Sequence, residues 1–496
     1  MPEKQSSYRQ IMKATSIFGG VQVFQIIIQV IKSKVVAVLL GTTGMGISGL
    51  LTTTTGFIAA ITNFGLGTTG VKSIAEAAGT ENRNRIEVIY AVLSKCIWIT
   101  GILGSVITLV FSPLLSQLTF GNKNYTFAFI WLSITLILNQ LSTGQLALLQ
   151  GLRKYKYLAN ANITGAIIGL LMALPLYYFY GINGIVPAII GTSVLNLIRS
   201  WYFVRKVGIR KVIVPKEITL SESKFLLKMG FTISLSGIVT IGTSYIIRIF
   251  ISNTGGIEQV GLYTAGFTLL NSYVGLIFSA MATDYFPRLS ARPNDDVYCA
   301  TTINEQATIS FLLLTPIITI FMIFCPLILN ILYTKDFISI DRMLYWAIMG
   351  MLFRAASWTL SYIFIAKNNA RLFFINEIIS NINIIILNFG GYYFWGLEGI
   401  GIAFLATYIL YLIQMSLLAY AKYKVKLSKE TVKLFAIQVL FTIAAFIIVF
   451  FTENYYRFLL GIPLIAGSAV YSYINLDNRI GISTYFAKYW RNKTRN

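Results

Sequence analysis

KATSIFGGVQVFQIIIQVIKSKVVAVLLGTTGMG, residues 13–46, decides what kind of protein this is, because the chain writes it twice. The first copy is mostly apolar from Ile17 to Leu40, interrupted by Gln22, Gln25, Gln29, Lys32, Ser33 and Lys34, and it breaks at Gly41 and Gly46. The second, KMGFTISLSGIVTIGTSYIIRIFISNTGGIEQVG at 228–261, carries Arg248 inside its apolar run and breaks at Gly256 and Gly261. Lys13 and Lys228, Gly41 and Gly256, and Gly46 and Gly261 all stand 215 residues apart. Downstream, Gly181-Ile-Asn-Gly184-Ile185 matches Gly396-Leu-Glu-Gly399-Ile400 at the same offset. Several anchors at one offset argue for a duplicated unit of about two hundred residues. Arg248 falls opposite Ser33, between the two lysines, so each copy carries a cation where a membrane span should have none.

Composition sets the class. Of 496 residues, 56% are hydrophobic and 12% charged, with a mean hydropathy of +0.71. Soluble domains carry about 25% charged residues. Many apolar runs reach the roughly 20 residues that cross a bilayer as a helix, and the period-2 pattern of a membrane β-barrel is absent. The chain therefore reads as all-α and polytopic. It has no histidine, which removes His-based triads, His metal sites and histidine pH switches. Cys96, Cys299 and Cys325 have no metal-ligand spacing and read as small packing residues. No cofactor and no metal is expected.

Fourteen spans are predicted. The first copy supplies 17–40, 47–64, 88–111, 127–149, 158–180 and 185–204. The second supplies 226–251, 260–281, 307–329, 343–365, 372–395 and 400–420. Two more follow, 434–451 and 458–474. The domains expected are an N-lobe at 1–207, a linker at 208–224, a C-lobe at 225–425, and a final pair of spans with a basic tail at 426–496. Alternate connections are basic: Arg153, Lys154 and Lys156 in one, Arg205, Lys206, Arg210, Lys211 and Lys216 in the next. The others are short and nearly bare. Lys and Arg resist translocation, so the basic set and both termini face the cytoplasm. Most of the net charge of +22 is thus an orientation signal, and nucleic acid is not an expected partner. An even number of spans per copy makes the repeats parallel, with a site between the lobes.

The candidate site residues are ionisable groups inside spans. Lys34 lies about 10 Å below the Gly41 end of its helix, and Arg248 about 12 Å below the Gly256 end, at 1.5 Å per residue. A cation in hydrocarbon costs about 2.5–3.5 kcal/mol on insertion scales; a wet cavity or an anionic ligand offsets that, and snorkelling is the structural alternative. Lys32 and Lys34 point about 200° apart, so one helix cannot aim both at one cavity; Lys34 is favoured and Lys32 is second. Arg354 is a third cation. Glu377 is the candidate for ion pairing or proton binding, and Asp284 for a turn cap or a pair with Arg288. Glu87 and Lys95 are expected to snorkel. Gly65-Leu-Gly67-Thr-Thr-Gly70 matches a dinucleotide fingerprint only as a string, since no βαβ unit surrounds it.

Lys34-Val-Val-Ala-Val-Leu-Leu-Gly41 with Gly44-Met-Gly46, Phe120-Gly-Asn-Lys-Asn-Tyr125, Gln150-Gly-Leu-Arg153, Asp284-Tyr-Phe-Pro287-Arg-Leu289 and Ile365-Ala-Lys367 together resemble the Wzx-type polysaccharide flippases. Within the multidrug/oligosaccharidyl-lipid/polysaccharide exporter superfamily, the likeness is to the O-antigen and enterobacterial common antigen branch. It runs from about Ser7 to Tyr423. It implies two six-helix lobes around a cationic cavity in the bacterial inner membrane. The implied cargo is an undecaprenyl-pyrophosphate-linked oligosaccharide turned from the cytoplasmic to the periplasmic leaflet, as in lipopolysaccharide assembly. Membrane lipid, a polysaccharide polymerase and a chain-length regulator are the implied partners. The resemblance places cations at Lys34, Arg248 and Arg354 and an acid at Glu377. It leaves the last two spans either cradling the lipid tail or packing on the second lobe. Two alternatives stand beside it. A cation-coupled drug antiporter of the same superfamily would want a carboxylate in the first lobe, where the first span has none. A glycan polymerase or ligase, an enzyme, would want a long external loop, which is lacking.

Overall fold

In the computed structural model every regular element among the described residues is a helix. The backbone is described for residues 2–80, 82–210, 212–452 and 454–480. Side chains are described from Gly20 onward, except at 273–274, 276–277, 279–284, 454 and 480. The chain runs through α1 (Pro2–Thr62), α2 (Leu66–Gly79), α3 (Arg83–Val110), α4 (Ser112–Phe120), α5 (Thr126–Gly151), α6 (Tyr155–Tyr180) and α7 (Ile185–Arg205). It continues with α8 (Lys216–Gly255), α9 (Ile257–Ser290), α10 (Asp296–Leu332), α11 (Asp341–Ala366), α12 (Ala370–Tyr423), α13 (Lys429–Phe451) and α14 (Asn454–Ile480).

Ten helical stretches among the described residues are long and apolar enough to cross a membrane. Three of them, Gly20–Thr62, Tyr155–Arg205 and Ala370–Tyr423, hold 43, 51 and 54 residues, more than twice the ~20 of one crossing. Each breaks at a glycine: Gly41 (φ 67°, ψ −164°), Gly181 (φ 54°, ψ −133°) and Gly396 (φ 58°, ψ −137°). A Cβ is essentially excluded from such angles. The protein is thus an all-α polytopic membrane protein of about ten to fourteen crossings.

Backbone details recur 215 residues apart. Gly256 (φ 87°, ψ 172°) ends α8 with angles close to those of Gly41. Helices α5 and α11 end in the same cap. After α5, Arg153 (φ 53°) donates its N–H to Gln150 O at 3.0 Å and Lys154 donates to Leu149 O at 2.9 Å. After α11, Asn368 (φ 55°) donates to Ile365 O at 3.0 Å and Asn369 to Phe364 O at 2.8 Å. This is the Schellman arrangement, which satisfies the carbonyls a helix leaves open at its end.

Two compact units divide at Ala265, within α9. In the first, Leu66, Ile74, Val92, Leu93 and Leu148 form a core between α2, α3 and α5. Cys96 lies in that core and contributes its thiol to Ser223 Oγ at 3.2 Å. Lys95 reaches Thr219 Oγ1 at 3.4 Å. Glu87, expected to snorkel, is instead buried: Arg83 pairs with it at 3.5 Å and the Arg210 N–H donates to it at 3.3 Å. A buried carboxylate needs those partners to offset its desolvation.

Backbones of α1 and its continuation come close to those of α8 and α9 within this unit. A Cβ at Gly261 would collide with Thr42 O, and one at Gly46 with Ile257 O. Far down the same arm of α1, a Cβ at Gly230 would collide with Phe64 O. Thr43 Oγ1 donates to Glu258 Oε1 at 3.2 Å beside the first of these seams.

The second unit is built on α11 packed along α12, around buried Tyr285, Leu360, Phe364 and Met415. The Tyr285 hydroxyl donates to Thr359 O at 2.5 Å. Helices α13 and α14 pack on α10, where Thr319 and Ser468 hydroxyls meet at 3.2 Å. The α12–α13 connection is tied to α10 by Ser428 N–H donating to Asn304 Oδ1 at 2.7 Å. The basic tail beyond residue 480 lies outside the described residues.

Candidate functional site

One face of α1 carries Gln25, Ile28, Gln29 and Lys32, at i, i+3, i+4 and i+7, the spacing of a single helical stripe. These residues line a cavity of about 640 Å³ inside the first unit. Three more helices complete it, each with the same helical rhythm. From α5 come Asn139, Ser142 and Thr143; from α6, Asn162, Gly165 and Gly169; from α7, Thr192, Asn196 and Ser200.

Glycines make the room. A Cβ at Gly165 would collide with Asn196 Oδ1, and one at Gly169 would crowd Thr192. On one wall, the Ser142 and Ser200 hydroxyls lie 3.2 Å apart, and Ser200 donates to Gln145 Oε1 at 2.5 Å. Thr143 and Thr192 donate to carbonyls of their own helices at 2.9 and 2.7 Å, leaving oxygen lone pairs as acceptors. The lining holds no Asp, no Glu and no aromatic ring.

Of the sequence candidates, Lys32 lines this cavity and is half-buried, whereas Lys34 is exposed on another face of α1, beyond buried Ser33. Arg248 stays within α8, where Nη1 donates to Ser244 Oγ at 2.6 Å and the guanidinium lies 5.4 Å from the Tyr263 ring. Arg354, in the second unit, sits 5.4 Å from the Phe278 ring and 5.5 Å from that of Tyr408. Glu377, on α12, accepts from the Tyr411 hydroxyl at 3.4 Å. Asp284 falls in α9, and its side chain lies outside the described residues. Arg288 pairs with Glu305 at 3.7 Å. Among the described residues, Lys32, Lys34, Arg248 and Arg354 join no ion pair, and no group of three or more metal-ligating acids or cysteines occurs.

Sequence reasoning did not pick out Asn139, Asn162, Thr192 or Asn196. The signal was present as amides and hydroxyls recurring at i+3 and i+4 inside apolar spans.

A polar cavity is thus set among membrane-length helices, with backbone breaks repeated along the chain. The fold is shared with solved structures of a flippase and of multidrug transporters. It matches a lipid II flippase, MurJ, in an inward closed conformation, with TM-score 0.69, 15% identity, and coverage of 94% of this chain and 99% of that one. It also matches an inward-facing multidrug resistance MATE family transporter, with TM-score 0.67, 16% identity, and coverage of 81% and 95%. The family model described as polysaccharide biosynthesis protein matches residues 35–341, and the chain belongs to that family. A putative O-antigen transporter of Shigella flexneri is 25% identical over 228 residues. That stretch covers 44% of this chain, and the chain spans about half the length, 51%, of that relative.

Proposed function

We propose that the protein is a flippase that carries an undecaprenyl-pyrophosphate-linked oligosaccharide from the cytoplasmic to the periplasmic leaflet of the bacterial inner membrane. One observation carries this: helices of membrane-crossing length line a cavity of about 640 Å³ in which Lys32 is, among the described residues, the only ionisable side chain. A cation there, with no carboxylate partner, is stabilised by an anionic cargo through charge-assisted hydrogen bonds. Lys34, Arg248 and Arg354 are proposed to serve the same anion along its path, and Glu377 to respond to protons. The sugar crosses in the polar interior while the polyprenyl chain stays in lipid.

The architecture proposed for this task is two parallel six-helix repeats, 1–207 and 225–425, joined by 208–224 and followed by α13 and α14. The matching glycine angles and helix caps 215 residues apart support the duplication. So do contacts between counterparts: Thr43 bonds Glu258, and the Cβ that Gly49 lacks would touch Thr264, each pair 215 apart. A residue meets its own counterpart only beside a twofold axis. Parallel repeats about such an axis move cargo by rocking around a midplane site.

The test is complementation of a strain deleted for this protein. Lys32→Ala and Arg248→Ala, each at wild-type protein level, are expected to leave lipid-linked oligosaccharide in the cytoplasmic leaflet. Normal glycan export by both variants would sink the proposal. The alternative is a drug antiporter, favoured by the MATE likeness. The acid-free lining speaks against a cationic cargo, and drug hypersensitivity of the deletion strain with intact glycan export would establish it.

A further inference from the structure

The amides of the cavity have a chemistry of their own. Gln25, Gln29, Asn139, Asn162 and Asn196 all line it, and among the described residues none of their side chains makes a hydrogen bond within the protein. More deeply buried amides in this molecule do find partners. Asn381 donates to Glu377 O at 2.8 Å, Asn388 to Ile384 O at 2.7 Å, and Gln414 to Asn376 Oδ1 at 2.9 Å. Gln29 and Asn139 are exposed and Gln25, Asn162 and Asn196 half-buried, so the five amides stand open to water or to a ligand that displaces it.

The lining also discriminates between ligands. Each amide offers an NH₂ donor and a carbonyl acceptor. Thr143 and Thr192, their protons already committed to backbone, offer acceptors only. The wall is therefore matched best by a partner that donates as well as accepts. The diphosphate of a diester has only acceptors and would engage the amide NH₂ groups alone, leaving the amide carbonyls and threonine oxygens unmatched. A polyol has both capacities at every hydroxyl. At about 640 Å³ the cavity is in the ordinary range of small-molecule sites, about 300–1,000 Å³.

We infer that this cavity is a glycan subsite: it holds sugars of the cargo through Asn139, Asn162, Asn196 and the α1 glutamines, with Lys32 fixing one negative group. The inference rests on the flippase proposal and names which part of the cargo sits here. The negative group belongs to an acidic sugar or to the adjoining pyrophosphate.

The experiment uses purified full-length protein in lipid nanodiscs. The probes are the oligosaccharide released by mild acid from the polyprenyl-linked pool of the source cells, and inorganic pyrophosphate. The released oligosaccharide is expected to bind without its lipid, and Asn162→Ala with Asn196→Ala to weaken it about tenfold, the effect of losing one or two neutral hydrogen bonds. Pyrophosphate affinity should stay unchanged in that variant. Asn162→Leu, which keeps the bulk and removes the hydrogen bonding, should repeat the loss. Lys32→Ala assigns the anion: weakened oligosaccharide binding places it on a sugar, weakened pyrophosphate binding places it on the lipid carrier, and no effect on either overturns the role given to Lys32. Oligosaccharide binding that is absent in the wild type, or unchanged in both asparagine variants, overturns the subsite. If export of lipid-linked oligosaccharide in cells persists in that case, the flippase proposal survives it. If export does not depend on this protein at all, both fall.

Discussion

The cavity wall of the first half and the positions 215 residues further on are built to opposite ends. In the first half Asn162 and Asn196 line an open space. Their counterparts are Glu377 and Tyr411, which touch through a hydrogen bond of 3.4 Å. Gly165 and Gly169, which leave room, correspond to Ser380 and Ile384; Thr143 corresponds to Trp358, and Ser200 to Met415. Trp358 packs on Phe278, Tyr285 and Tyr362, and Met415 is 1% exposed. One backbone plan thus carries a hollow in one half and bulk in the other. On the proposed duplication, a shared scaffold leaves side-chain volume to set where the hollow lies.

The strongest way to break this comparison is to move the bulk across. Gly169→Ile with Asn196→Tyr imports the second half's residues into the cavity. Export should fall about a hundredfold, the scale of a misplaced ligand, with the melting temperature held within a few degrees. Unchanged export would mean the hollow is not used.

Glycines sharpen it next. At Gly261 a methyl would strike the backbone of Thr42, whereas at Gly165 it would strike the mobile end of Asn196. Gly261→Ala should therefore cost about 1–3 kcal/mol of stability, as overpacking does. Gly165→Ala should cost about 0.5 kcal/mol or less while reducing export. Chemical denaturation in detergent measures both, and equal costs would refute the distinction between seam and cavity.

A smaller effect than at Gly261 is expected at Tyr411→Phe. It removes the hydroxyl that bonds Glu377 and also meets Ser361, and about 0.5–1.5 kcal/mol should go with it. A variant as stable as wild type would show that bulk alone fills this place in the second half.

Much of the fold was legible in the chain. Gly41, Gly181, Gly256 and Gly396 could be read as breaks because long apolar runs must end within a bilayer's thickness and only glycine takes the angles found there. The 215-residue offset was legible as well, and backbone angles and helix caps recur at it. Glu87 was misjudged as a snorkelling acid because its burial depends on Arg83 and on the Arg210 backbone from a distant connection. The cavity was harder to see. Lys34 drew attention by its depth, but depth says nothing about which way a helix is turned.

Sequence alone determined that this chain lives in a membrane, that it is helical, and where its helices break, since hydropathy and backbone angle are properties of contiguous residues. Only the tertiary structure decided that Lys32 rather than Lys34 lines the cavity, and that Asn139, Asn162 and Asn196 join it from three other helices. The rotation of each helix is fixed by packing against partners far away in the chain, and a hollow exists only where small residues on several helices coincide.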